Sequence, residues 1–170
     1  MDYKVRSRGK RSWEGFGKTL SWWREVIRLT NRVLSCLPWE DLAFVDDIES
    51  IKETLRRFRE ISRKIEEERR QYGKISDSSI GLIIKEHNLS LEEEKVASLI
   101  PWHDSKQRTK VLAAIEIAIE LVEELLNTEP REAKIKCVRF EERLEWSSIE
   151  VYAWKIDDHG NVKILTAYIP

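Results

Sequence analysis

The chain has 170 residues, of which 36% are charged and 41% hydrophobic, and its 30 lysines and arginines nearly balance 31 aspartates and glutamates. This composition excludes a disordered or low-complexity chain and predicts one compact unit with a hydrophobic core. No apolar run approaches about 18 residues, so no transmembrane segment is expected, and no secretory signal is recognisable, so we expect a cytoplasmic protein. Glutamine, asparagine and cysteine are scarce, a bias typical of thermophilic proteins.

The first 32 residues depart from this charge balance. They carry nine basic and three acidic side chains, a charge of +6, so the rest of the chain carries −7. Because cations neutralise phosphates and indole rings can stack on unpaired bases, this stretch predicts binding to an anionic partner. The predicted binding residues are Lys4, Arg6, Arg8, Lys10, Arg11, Trp13, Phe16, Lys18, Trp22, Arg24, Arg28 and Arg32.

Residues 1–18 contain three glycines and are interpreted as a basic aromatic arm. Apolar residues at helical spacing then predict a first helix over 19–36. This pattern assigns Trp23 to the core and leaves Trp13, Phe16 and Trp22 as candidates to anchor bases or a partner chain.

A long second helix is predicted over 40–72, beginning near Pro38. Its apolar residues alternate by three and four, and pairs such as Glu53/Arg57 favour a helix. It could pack as a hairpin arm within the chain or join two copies, so a homo-oligomer is an alternative structural role. The cysteines, Cys36 and Cys137, are expected as buried free thiols.

Two short helices are predicted between Ser76 and Ile100, after a helix C-terminal cap at Gly73. The second begins with the capping-box pair Ser90 and Glu93. Their arrangement has the shape of a helix-turn-helix reader of DNA, but the acidic start of the second helix, at residues 92–94, would repel the phosphate backbone. We therefore interpret this segment as a packing element.

The most apolar helix is predicted over 104–127, with Asp104 as its N-cap, and is expected at the centre of the bundle. The histidines, His87, His103 and His159, show no metal-binding spacing, so neither a metal nor a cofactor is predicted.

Three antiparallel strands are predicted over 133–142, 148–156 and 162–169, with a turn at Gly160. In the middle strand the bulky side chains alternate with smaller and more polar ones. We expect the bulky face to pack on the helices; it carries Tyr152, Trp154 and Ile156.

The segment from Tyr152 to Pro170, with its Thr-Ala-Tyr strand, resembles the closing strands of the small RNase toxins grouped with barnase and RelE. In such enzymes a histidine or basic group transfers protons at a ribose 2′-hydroxyl, and a hydroxyl or cation steadies the phosphate. The resemblance covers about 20 residues and implies, as an alternative, a metal-independent RNase. Its candidate catalytic residues would be Lys155, His159, Thr166 and Tyr168.

The predicted fold class is α+β: a bundle of four or five helices, one of them long, followed by a C-terminal three-stranded antiparallel sheet. The arm (1–18), the bundle (19–129) and the sheet (130–170) are expected to form one compact unit. The leading functional hypothesis is a non-enzymatic protein that binds RNA or single-stranded DNA, or an acidic protein, through its basic start.

Overall fold

The computed structural model describes residues 2–7, 20–143 and 148–169. Within these residues it confirms the α+β fold: five α-helices precede three C-terminal antiparallel strands, and an additional N-terminal strand joins the sheet. In chain order the elements are β1 (Asp2–Ser7), α1 (Leu20–Cys36), α2 (Glu49–Tyr72), α3 (Asp77–Glu86), α4 (Leu91–Ala97), α5 (Ser105–Leu126), β2 (Lys134–Arg143), β3 (Ser148–Ile156) and β4 (Val162–Ile169).

Local capping interactions set the ends of several helices, as the sequence predicts. Helix α2 ends at Gly73, whose positive φ of 78° suits glycine. Helix α4 begins with the reciprocal capping box of Ser90 and Glu93, and the Asp104 side chain accepts a hydrogen bond from the Gln107 amide at the start of α5.

The sheet has the strand order β1-β4-β3-β2, with β1 parallel to β4 and the other pairs antiparallel. Helices α1 and α5 pack on one face of the sheet, the helical side, and the opposite face is called the second face. Helix α2 packs against α5 farther from the sheet. In this strand order β2 forms one edge of the sheet, and it lies beside α1. The strand pairing also shows that residues 2–7, predicted as part of an arm, belong to the sheet.

The prediction of which sheet face packs on the helices was wrong. Val151, Ala153 and Lys155 are fully buried on the helical side, whereas Tyr152 and Trp154 are half-buried on the second face. The ammonium group of Lys155 is accommodated because it donates to the Thr128 carbonyl, 2.6 Å away, just after the end of α5. A carbonyl left free by a helix end thus replaces the water that a lysine normally requires.

The start of the predicted second helix and the burial of the thiols also need correction. Two short 3₁₀ turns, Trp39–Asp41 and Val45–Ile48, precede α2, so the α-helix begins ten residues after Trp39, at Glu49. Buried Trp39 donates from its indole nitrogen to the Leu34 carbonyl, 2.7 Å away, which folds this turn back onto the end of α1. Cys36 is exposed and Cys137 only half-buried.

The buried Arg108 ties α5 to α2, although sequence patterns did not single it out. Its side chain is 1% exposed, and it donates to the Ser62 hydroxyl at 2.8 Å and to the Trp102 carbonyl at 2.6 Å. It also pairs with Glu66. Burial by itself raises the pKa of Glu66, but hydrogen bonds from Arg108 and Ser105 and the charges of Arg108 and Arg69 together outweigh this, so that pKa is lowered.

Candidate functional site

Three arginines lie along the exposed side of α1. Arg24, Arg28 and Arg32 are spaced by four residues and are all exposed, while Val26 and Val33 of the same helix are completely buried in the core. Because an α-helix rises about 1.5 Å per residue, successive arginines are about 6 Å apart along its axis. The structure therefore brings together the three basic residues of the predicted site that α1 carries.

These arginines differ in how far neighbouring acids neutralise them. Arg28 pairs closely with Glu25, with a shortest nitrogen-to-oxygen distance of 2.5 Å, whereas Arg24 lies 3.6 Å from Glu142. The hydrogen bond from Arg28 lowers the pKa of Glu25, which keeps that carboxylate ionised. Among the described residues, no acidic side chain lies within ion-pair distance of Arg32.

Asn31 fastens this part of α1 to the edge of the sheet. Its amide oxygen accepts from the Phe140 backbone N–H at 2.7 Å, and its amide nitrogen donates to the Phe140 carbonyl at 2.8 Å. The side chain thus replaces, at one residue, the strand that β2 lacks on its outer side. Since Asn31 lies between Arg28 and Arg32, these bonds set the position of both arginines relative to β2.

Strand β2 contributes further cations near the arginines of α1. Its register shifts between Ile135 and Cys137, and the intervening Lys136 is exposed. Arg139 is also exposed, and its Nε lies 3.6 Å from Glu141. The alternation of cations with Ile135, Val138 and Phe140 was visible in the sequence, and lysine is typical of an edge strand, but these residues were not predicted as part of a site.

The groove between α1, the Trp39–Asp41 turn and β2 has a volume of about 870 Å³. Arg28 and Arg32 line it from the helix, and Lys136 and Arg139 line it from the strand. The acidic residues Glu40 and Asp41 lie at the turn. The groove therefore has a cationic part along α1 and β2, where an extended anion would be attracted, and an acidic end.

The second face of the sheet adjoins this groove. Strand β3 contributes Tyr152 and Trp154, which face Arg139 and Cys137 of β2 across the strand pair. The Tyr152 hydroxyl lies 3.4 Å from a carboxylate oxygen of Glu141. Burial and the neighbouring Cys137 and Glu141 raise the pKa of Tyr152 to about 12, so this phenol is neutral at physiological pH.

Most of the predicted arm cannot be compared with the structure. Arg8, Lys10, Arg11, Trp13, Phe16 and Lys18 lie outside the described residues, as do the side chains of Lys4, Arg6 and Trp23. Trp22 is half-buried and packs against the hydrophobic core. The structure therefore shows the surroundings of only those predicted binding residues that lie on α1.

Three of the four candidate RNase residues can be located, and the structure does not bring them together. Lys155 is buried on the helical side of the sheet, and burial lowers its pKa to about 8. Thr166 pairs with Tyr152 on the opposite face, and His159 is exposed in the turn before β4. The side chain of Tyr168 lies outside the described residues. Lys155 and Thr166 cannot reach the same scissile bond from opposite faces.

The remaining candidates have structural partners. The imidazole of His87 contacts the Ile83 carbonyl, and that of His103 pairs with Asp77 at 2.7 Å. In the described part of the chain, no three histidine, cysteine or acidic side chains form a cluster that could hold a metal. The apolar stripe of α2, which includes Ile51 and Phe58, is buried within the chain.

Within the described ranges, no helix is both long and apolar enough to cross a bilayer. Comparisons with protein-family models, with curated proteins and with solved structures found no match to this chain.

Proposed function

We propose that this protein is a nucleic-acid-binding protein that holds the sugar-phosphate backbone along α1 and the edge of β2. The observation that supports this most is the row of exposed arginines on α1, facing Lys136 and Arg139 across one groove. Guanidinium groups suit this task because they bind phosphate oxygens in a bidentate way and remain charged at every physiological pH.

The distribution of ion pairs supports binding rather than a purely structural role for these cations. Arg32 and Lys136 have no acidic partner within ion-pair distance among the described residues, so their charges are available to a ligand. Arg28 shares its charge with Glu25 on the exposed surface, where such pairs contribute little and can exchange. A phosphate entering the groove would compete with Glu25 for that guanidinium group.

The binding test uses fluorescence anisotropy of a labelled single-stranded RNA of mixed sequence, titrated with the full chain at several salt concentrations. We expect the logarithm of the association constant to fall linearly with that of salt. Replacing Arg28 and Arg32 together by glutamine should lower the magnitude of this slope by about 1.4, since each lost phosphate contact to a single strand contributes about 0.7.

The matched control is the double replacement Arg59→Gln and Arg63→Gln on α2. It removes the same charge from an exposed helix face, but Arg59 pairs with Glu116 and Arg63 with Glu60 and Glu67. Its slope should stay that of the unaltered protein. Absence of salt-dependent binding by the unaltered protein, or an equal change in both double variants, would sink the proposal.

A substitution that should strengthen RNA binding provides a second test. Glu25→Gln removes the carboxylate that competes for Arg28, so it should tighten RNA binding and steepen the salt dependence. Point changes are preferable to deletion of residues 1–18, because residues 2–7 pair with β4 and their loss would expose a new sheet edge.

A further inference from the structure

The second face of the sheet carries two aromatic rings that the hydrophobic core does not use. Tyr152 and Trp154 are two residues apart on β3, so they project from the same face, and both are half-buried. They lie on the opposite face from Val151, Ala153 and Lys155, which face α5.

This aromatic pair is continuous with the cationic groove. Arg139 lines the groove and also lies directly across the strand pair from Tyr152, and Cys137 lines it and lies across from Trp154. Residues directly opposite in antiparallel strands have Cβ atoms about 5 Å apart. A chain whose phosphates lie in the groove can therefore place its bases on these rings by crossing one strand.

We propose that Tyr152 and Trp154 form a stacking platform for unpaired bases of single-stranded RNA, whose phosphates are held by Arg139 and the α1 arginines. This inference rests on the proposed function and adds to it the class of nucleic acid. Stacking requires exposed base faces, which a duplex hides, whereas phosphates are available in both forms. The platform would thus convert a general affinity for phosphate into selection of single strands.

The acidic Glu141 beside this platform offers a hydrogen-bond acceptor that ribose can use and deoxyribose cannot. Its carboxylate lies next to the Tyr152 hydroxyl and the Arg139 guanidinium, and its side chain is 51% exposed. A carboxylate repels phosphate but accepts a hydrogen bond well, and a ribose 2′-hydroxyl supplies a donor that deoxyribose lacks. An acid within a cationic surface is therefore compatible with ribose and gives no advantage to DNA.

The experiment uses the full chain with an RNA that contains 2-aminopurine, whose fluorescence falls when the base stacks on an aromatic ring. Bound single-stranded RNA should show this quenching, and Tyr152→Val and Trp154→Val should each reduce it and weaken binding by about tenfold. Valine is chosen because it favours strand structure. The salt slope should not change, because no phosphate contact is removed. Tyr72→Val, at an exposed tyrosine of α2, is the matched control.

Binding measurements with an RNA duplex and with DNA separate failure of this inference from failure of the proposed function. An RNA duplex bound as tightly as the single strand, or single-stranded RNA bound without quenching, would overturn the platform while leaving phosphate binding intact. DNA of the same sequence bound equally well would overturn the assignment to RNA. Absence of binding to every ligand would reject both proposals. The quenching measurement needs no variant, so it remains decisive if either valine variant is unstable.

Discussion

The α2–α5 side and the α1–β2 side of the molecule are both rich in cations, but they use them differently. On α2, Arg56 pairs with Glu53 at 2.5 Å, Arg59 pairs with Glu116 at 3.1 Å, and Arg63 contacts two glutamates. On α1, Arg32 has no acidic partner within ion-pair distance among the described residues. Exposed arginines of α2 therefore stabilise a helix face, whereas Arg32 of α1 keeps its charge available to a ligand.

This difference also explains why charge counts along the sequence were only partly informative. The excess of +6 in the first 32 residues drew attention to α1, but Lys136 and Arg139 belong to a segment of mixed charge. What distinguishes the α1–β2 side is that two of its cations, Arg32 and Lys136, line one groove without an acid within ion-pair distance among the described residues. Their proximity depends on which strand forms the edge of the sheet.

The largest expected effect concerns the buried cation of the α2–α5 side. Arg108→Ala leaves the Trp102 carbonyl, the Ser62 hydroxyl and the Glu66 carboxylate without their donor, so it should lower the free energy of unfolding by about 3 kcal/mol. Urea unfolding followed by circular dichroism measures this loss. Arg59→Ala, which removes an exposed arginine of α2, should cost less than about 1 kcal/mol. Equal losses would contradict the proposed role of burial.

The next effect concerns the buried lysine of the sheet and depends on pH. The pKa of Lys155 falls from 10.5 to about 8 in the folded protein because of burial. Between these values the unfolded chain binds more protons than the folded one, so stability should rise as pH increases from 8 to 10.5. The rise from this group should be on the order of 2 kcal/mol.

Lys155→Met should remove about half of the total rise in stability over this pH interval. The rest comes from Lys110, which is also buried and has its pKa lowered to about 8. Unfolding midpoints in urea across this pH interval provide the measurement. Lys136→Met, which removes an exposed lysine on the α1–β2 side, is the matched control. A profile unaffected by Lys155→Met would show that the ammonium group is adequately solvated in the folded state.

A smaller effect is expected where α1 meets β2. Asn31→Ala removes the two hydrogen bonds that the Asn31 side chain makes with the Phe140 N–H and carbonyl, and should cost about 1–2 kcal/mol in unfolding free energy. Because the same bonds position Arg28 and Arg32, RNA binding should weaken as well. Ser35→Ala is the control, since its hydroxyl donates to the Arg32 carbonyl within α1. Normal stability and binding in Asn31→Ala would contradict a positioning role.

The smallest effect on stability should come from the residues proposed to bind. Replacing Arg28 and Arg32 by glutamine should leave the urea midpoint unchanged, since one is exposed in a surface pair and the other has no ion-pair partner among the described residues. Strong destabilisation by this change would mean that the α1 arginines support the fold, as those of the α2–α5 side do.

Features that depend on neighbours in the chain were predictable from the sequence. The helix ends at Gly73, Ser90 and Asp104 follow from local hydrogen bonds, and the three C-terminal strands follow from alternation and turn residues. The fold class could therefore be predicted before the structure was known. The division into arm, bundle and sheet stays a prediction.

Features that depend on distant partners could not be predicted in the same way. The face of β3 was assigned wrongly because a lysine normally marks the solvent side. Nothing near Lys155 in the sequence indicates that the Thr128 carbonyl would accept a hydrogen bond from its ammonium group. Likewise, no local pattern connects Asn31 with Phe140, 109 residues away. The candidate site depends on such contacts, so its β2 half was missed.

The parallel pairing of β1 with β4 has a consequence for how the chain is made. Residues 2–7 are synthesised well before their partners at 163–168, so β1 must wait for β4 before this part of the sheet can form. The helices can collapse earlier, because their contacts are closer in sequence. We therefore expect β1 to dock last, after β3 and β4 have paired.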